Sequence, residues 1–86
     1  MNRYIIVIAP RAKKQIDNLP EHVKQRIATV LLDVISINPF SGKALKGELS
    51  GLYSYRVGDY RVIYTVVKYR LIIQVIKVMH RREAYR

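Results

Sequence analysis

The side chains best suited to chemistry lie on either side of Gly58-Asp59. That pair reads as a two-residue β-hairpin loop, with Gly58 at the position that needs a positive φ in a type II′ turn. Val57 then pairs with Tyr60, and Arg56 lies directly opposite Arg61. Like charges opposite one another on a sheet face cost a few tenths to ~1 kcal/mol, so the fold gains nothing unless an anion fills the gap. Two guanidiniums a strand apart would hold one phosphate through charge-assisted, often bidentate hydrogen bonds. Ser54, on the same face, adds a hydroxyl.

The next strand admits two registers. With a three-residue loop at 68–70, Val67 pairs with Leu71, Lys77 lies opposite Arg61, and Arg81 continues that face beyond the strand end. With a two-residue loop, Gln74, Ile76 and His80 take that face instead, because a one-residue slip moves every side chain across. The first register is preferred because it gathers Arg56, Arg61, Lys77 and Arg81. The plain alternative is a solvated basic face with its arginines splayed apart.

Such a cluster has a limited choice of reactions. No Ser/His/Asp set, paired carboxylates, phosphate-binding Gly-rich loop or metal-ligand spacing is present. Six acids scattered one by one do not hold two Mg²⁺ ions, which argues against a two-metal nuclease. RNA carries its own nucleophile, the 2′-OH beside each phosphate. Metal-free cleavage then needs a proton acceptor, a donor for the leaving 5′-oxygen and cations for the crowded phosphate. Arg, Lys, Tyr and His can fill those roles, whereas DNA, lacking the 2′-OH, would only be bound.

The elements that must position these groups follow from composition and periodicity. The 86 residues allow one domain, 1–86, with no second core. Lys and Arg total 16 against 6 acids, a net charge of +10, yet 50% of the residues are hydrophobic. That is too apolar for a disordered basic tail and implies a folded domain with a polyanionic partner. The absence of Cys excludes disulfides and thiolate metal sites, and two His (His22 and His80) do not make a His-rich zinc site. No metal or cofactor is expected.

Residues 3–8 read as a strand buried on both faces, and Pro10 opens a helix over 10–18. Val23, Ile27, Val30, Leu31, Val34 and Ile35 form a helical stripe within a second helix, 20–37. Asn38-Pro39-Phe40-Ser41-Gly42 starts a polar, basic loop, and strands follow at 52–57, 60–67 and 70–79. The order is β-α-α-β-β-β. This is an α+β two-layer sandwich with a helical hairpin on one face of a mainly antiparallel sheet. The last two strands are apolar at nearly every position, so the second face is to be covered either by the tail or loop or by a protein partner.

Leu52-Tyr53-Ser54-Tyr55-Arg56-Val57-Gly58-Asp59-Tyr60-Arg61-Val62-Ile63-Tyr64 resembles the central hairpin of RelE/ParE-superfamily toxins of prokaryotic toxin–antitoxin modules. Lys43-Ala44-Leu45-Lys46-Gly47 before it and Val78-Met79-His80-Arg81-Arg82-Glu83-Ala84-Tyr85-Arg86 at the end are similar to the same family. The likeness spans nearly the whole chain.

The resemblance implies an mRNA endonuclease that enters the ribosomal A site and cuts by 2′-OH attack, leaving a 2′,3′-cyclic phosphate and a 5′-OH. It assigns Arg61 to the scissile phosphate, Arg56 to a basic stabilising position and Arg81 to the leaving oxygen. Tyr85 falls at the position of the general base. His80 has no fixed family role but is the most conventional acid–base group in the chain. Lys43, Lys46, Ser54, Lys77 and Arg82 are the expected further RNA contacts. Ser54 stands where the best-known member has a lysine, so that contact is absent or supplied by Lys46 or Lys77.

The implied partners are mRNA, the ribosomal 30S A site and an acidic RelB-like antitoxin whose amphipathic helix or extended segment meets the basic, apolar sheet face. The run Tyr4–Ala9 is too short for a signal-peptide core or the ~20 residues of a membrane span, which points to the cytoplasm and to no membrane partner. Two other readings stand beside this one. The first is a ParE-like toxin that inhibits gyrase and cuts nothing; the second is a basic module that binds nucleic acid without turnover.

Overall fold

The computed structural model describes residues 3–84. Strand β1 spans Ile5–Ile8, and Pro10, with no N–H to leave unsatisfied, opens helix α1, Pro10–Asp17. Helix α2 begins at Glu21, an acid in the first turn where the helix dipole favours it, and runs to Val30. It continues as one π-helical turn, Leu31–Ile35, in which Ser36 N donates to Leu31 O at 2.9 Å. A four-residue spacing drifts about 40° per step around an α-helix. The wider turn takes up part of that drift, so Val23, Ile27, Leu31 and Ile35 all reach the core.

Strand β2 is the two-residue Lys43–Ala44, which the loop composition of this segment does not announce. Strands β3 (Leu52–Val57) and β4 (Tyr60–Val67) form the expected hairpin, with Val57 paired to Tyr60 and Arg56 to Arg61. Gly58 has φ 59° while Asp59 stays out of the left-handed region, the φ pattern of a type II′ turn. Strand β5 covers Ile72–His80, and α3 is a single helical turn, Arg81–Ala84.

The five strands lie in the order β1-β5-β4-β3-β2, with β1 parallel to β5 and every other pair antiparallel. The helices cover one face. Their Ala12, Val23, Ile27, Leu31 and Ile35 pack on Val57, Val62, Tyr64, Ile73, Val75 and Val78. The architecture is the α+β sandwich expected from the element order.

Two expectations are corrected. Strand β1 is not buried on both faces. It is an edge strand with Ile5 63% exposed, because two helices cover one face only and β5 flanks it on one side only. The β4–β5 register also differs from both alternatives. The connection has four residues, 68–71, with Leu71 left-handed at φ 55°, so Val67 pairs with Ile72. A bulge then skips Ile76, and Met79, rather than Lys77, lies opposite Arg61. These two extra residues add up to a two-residue shift, which leaves Lys77 on the face expected for it.

Candidate active site

Alternation along the strands sorts the polar groups by face. On the face without helices, Arg56, Arg61 and Met79 stand side by side in one row. The next row inward holds Lys43, Ser54, Ile63 and Lys77, one from each of β2, β3, β4 and β5. Ser54 is buried, and its Oγ accepts a long hydrogen bond from Arg61 Nη1 at 3.5 Å. Arg56 Nε donates to Gly58 O at 3.1 Å, which holds that guanidinium over the hairpin turn.

The end of β5 is tied to the same turn. Arg81 N donates to Asp59 O at 2.7 Å, and Arg81 Nε lies 3.9 Å from Asp59 Oδ1. This brings Arg81 and Arg82 round a concavity of about 410 Å³ shared with Arg56, Gly58, Tyr60 and Arg61. Four guanidiniums at one hollow favour a bound anion, and Arg61, half-buried, interacts in a less screened setting than the others.

Other predicted site residues are placed elsewhere. His80 pairs with Tyr60 across the strands, edge-on with ring centroids 5.2 Å apart, on the helix-covered side. Its Nδ1 accepts a hydrogen bond from Arg82 N at 3.2 Å, so it caps α3 rather than lining the arginine concavity. Lys46 lies with Lys43 in a separate depression beside β2. Tyr85 falls outside the described residues. Among the described residues, no three His, Cys, Asp or Glu side chains come together as a metal site.

One contributor is invisible in the sequence. Tyr64 is fully buried, donates its hydroxyl hydrogen to Pro39 O at 2.8 Å and accepts one from Gly42 N at 3.1 Å. It thereby fixes the loop that delivers Lys43 to the second row. A Cβ on Gly42 would lie 2.5 Å from that hydroxyl, so the loop approaches closely enough to need glycine here. Burial raises the Tyr64 phenol above its usual value of 10.0, against a lowering by hydrogen bonds from Gly42 and Ser41.

Residues 6–85 match the family described as ParE toxin of type II toxin–antitoxin system, parDE. The chain is 31% identical over 84 residues to Toxin RelE of Mycobacterium tuberculosis, covering 96% of this chain and 87% of that protein. It is 27% identical to Toxin RelG of the same organism, covering 96% and 97%. Its fold superimposes on the toxin–antitoxin complex RelBE2 from M. tuberculosis with a TM-score of 0.87, 26% identity and 93% of each chain covered. For the archaeal RelE–RelB complex from Pyrococcus horikoshii OT3 the TM-score is 0.70, with 28% identity and 92% and 96% covered. A hairpin of opposed arginines closed by a basic C-terminal turn is thus set in a shared fold, and the chain belongs to the ParE toxin family of type II toxin–antitoxin systems, within the RelE/ParE superfamily.

Proposed function

We propose that this toxin is an endoribonuclease that cuts mRNA in the ribosomal A site by metal-free attack of the 2′-OH on the adjacent phosphate. The observation that carries the reading is the single hollow ringed by Arg56, Arg61, Arg81 and Arg82. In this reading Arg61 and Arg56 hold the scissile phosphate and stabilise its added charge as the 2′-oxygen attacks. Arg81 acts at the leaving 5′-oxygen as the P–O5′ bond breaks, stabilising its charge or giving it the proton that completes the 5′-OH. Tyr85, as the phenolate, takes the 2′-OH proton, and the positive charges near it in sequence, Arg81, Arg82 and Arg86, favour that form. Lys43 and Lys77, one row inward, grip the flanking backbone.

The named relatives are RelE-type toxins, and several solved neighbours are complexes with RelB antitoxins. An acidic antitoxin fits this chain for two reasons. Its charge complements the +10 of the toxin, and the β1 end of the open face leaves Ile5 and Val7 exposed. Seated there and reaching the arginines, it would block the hollow. No described helix is long and apolar enough to cross a membrane, and the proposed site of action is the cytoplasmic ribosome.

The family's ParE description favours a second reading, gyrase inhibition without cleavage. One experiment separates the two. The purified chain is added to translating ribosomes, with end-group analysis of the mRNA and a parallel supercoiling assay. Codon-positioned cuts with 5′-OH and 2′,3′-cyclic phosphate ends, undiminished by chelator, are expected. Intact mRNA with inhibited supercoiling would establish the ParE reading instead.

A further inference from the structure

A second basic hollow lies behind the hairpin, on the side covered by helices. Two depressions, of about 640 and 300 Å³, share His22, Arg26 and Val57 and so run together as one groove between α2 and the β3–β4 turn. Arg26 stands at its centre. A Cβ on Gly58 would lie 3.1 Å from Arg26 Nη1, so this guanidinium rests against the turn from behind. Arg56 bonds the same Gly58 from its own side and lines both the groove and the arginine concavity.

The charge of this groove is unbalanced. Among the described residues, the ion pairs join Lys13 to Asp17, Lys24 to Glu21 and Arg81 to Asp59, and none uses Arg26. Asp59 is the carboxylate in the groove wall, and it is engaged by Arg81. Gln25, Thr29 and Tyr55 add hydrogen-bonding groups to the lining. Cations and neutral hydrogen-bonding groups along an open channel are the chemistry that tracks a single-stranded phosphate backbone.

We propose that this groove binds a second stretch of RNA, so that one strand crosses the β3–β4 turn with a phosphate at Arg26 behind it and another at Arg61 in front. The proposal rests on the RNA reading above for the identity of the polyanion. It adds a contact remote from the bond that is cut.

The test measures binding of the full chain to uncleavable 2′-deoxy-substituted RNA by fluorescence anisotropy, over a range of salt concentrations. A trinucleotide reaches the front hollow alone, whereas a strand of about twelve nucleotides reaches both. Arg26→Ala should weaken the long strand about five- to tenfold and reduce its salt slope by about 0.7, the contribution of one single-strand phosphate. Arg26→Lys should restore most of that slope, and trinucleotide binding should not change.

Equal binding of the long strand by wild type and Arg26→Ala overturns the proposal, as does equal weakening of both lengths, which would mean that Arg26 acts by supporting the turn. Weakened antitoxin binding with RNA binding intact would make the groove a protein-docking surface instead. Failure of the RNA reading shows separately, as mRNA left intact when the wild-type chain is added to translating ribosomes.

Discussion

Along β4, Val62 and Tyr64 are fully buried beneath the helices, while Arg61 between Tyr60 and Val62 stands half-buried on the opposite face, across from Arg56. The same strands thus carry two faces under different rules. On the helix side each position is determined by the volume available among Ile27, Leu31, Ile35, Ile73 and Val75. On the open side two like charges oppose one another, an arrangement that costs stability and is tolerated because the other face supplies it. Function and stability are separated by a period of two residues, so substitutions on the two faces should fail in different assays.

The largest expected effect is on the open face. Arg61→Ala should lower single-turnover mRNA cleavage by about 10²- to 10³-fold, as for other preorganised charge stabilisers, with no fall in melting temperature, since one of the two opposed charges is removed. A folded Arg61→Ala protein with full activity would dissolve the distinction between the faces. On the helix side, Ile73→Ala should cost about 2–5 kcal/mol and lower Tm by more than ~10 °C, read by calorimetry. Cleavage per folded molecule should stay at the wild-type level.

Tyr64→Phe joins the two faces, because this buried phenol anchors the loop that places Lys43. Removing the hydroxyl should cost about 1–2 kcal/mol in a denaturant melt and weaken RNA binding a few-fold, with the single-turnover rate at saturation unchanged. The smallest effect has the opposite sign. Arg56→Gln removes one of two opposed charges, so it should raise stability by a few tenths to ~1 kcal/mol while lowering cleavage. Loss of both stability and activity there would show that the arginines are held by something other than a fold that tolerates them.

The hairpin was legible in the sequence because Gly58-Asp59 fixes its register locally, and the opposed arginines followed by counting. The β4–β5 pairing was not. Its connection ends at Leu71, a left-handed residue without the glycine that marks such a position, and its bulge sits in a run of Ile72, Ile73, Val75, Ile76, Val78 and Met79 that shows no alternation. Arg56, Arg61 and Arg81 were still brought together because the longer loop and the bulge offset one another in parity. Tyr64 reaches across 25 residues to Pro39, and Arg26 reaches the turn from another element. Contacts of that range leave no local pattern. Apolar composition likewise does not say which strand becomes an edge, and the exposure of Ile5 depends on that topology.

The bulge at Ile76 has a bearing on how this chain can be cut and recombined. Downstream of it, the C-terminal segment runs half a pleat out of phase with the strand before it. Deleting Ile76 itself would leave a regular strand with Lys77 and Met79 still on the open face, whereas drawing Ile76 into the ladder opposite Ile63 would turn Lys77 and Met79 towards the helices and send Val78 to the outside. Chimaeras that exchange the C-terminal segment with a relative must therefore carry the bulge with the segment or place the junction beyond it. A sequence comparison that omits the one-residue gap a relative without this bulge would need here would equate Arg81 with a residue of the opposite face.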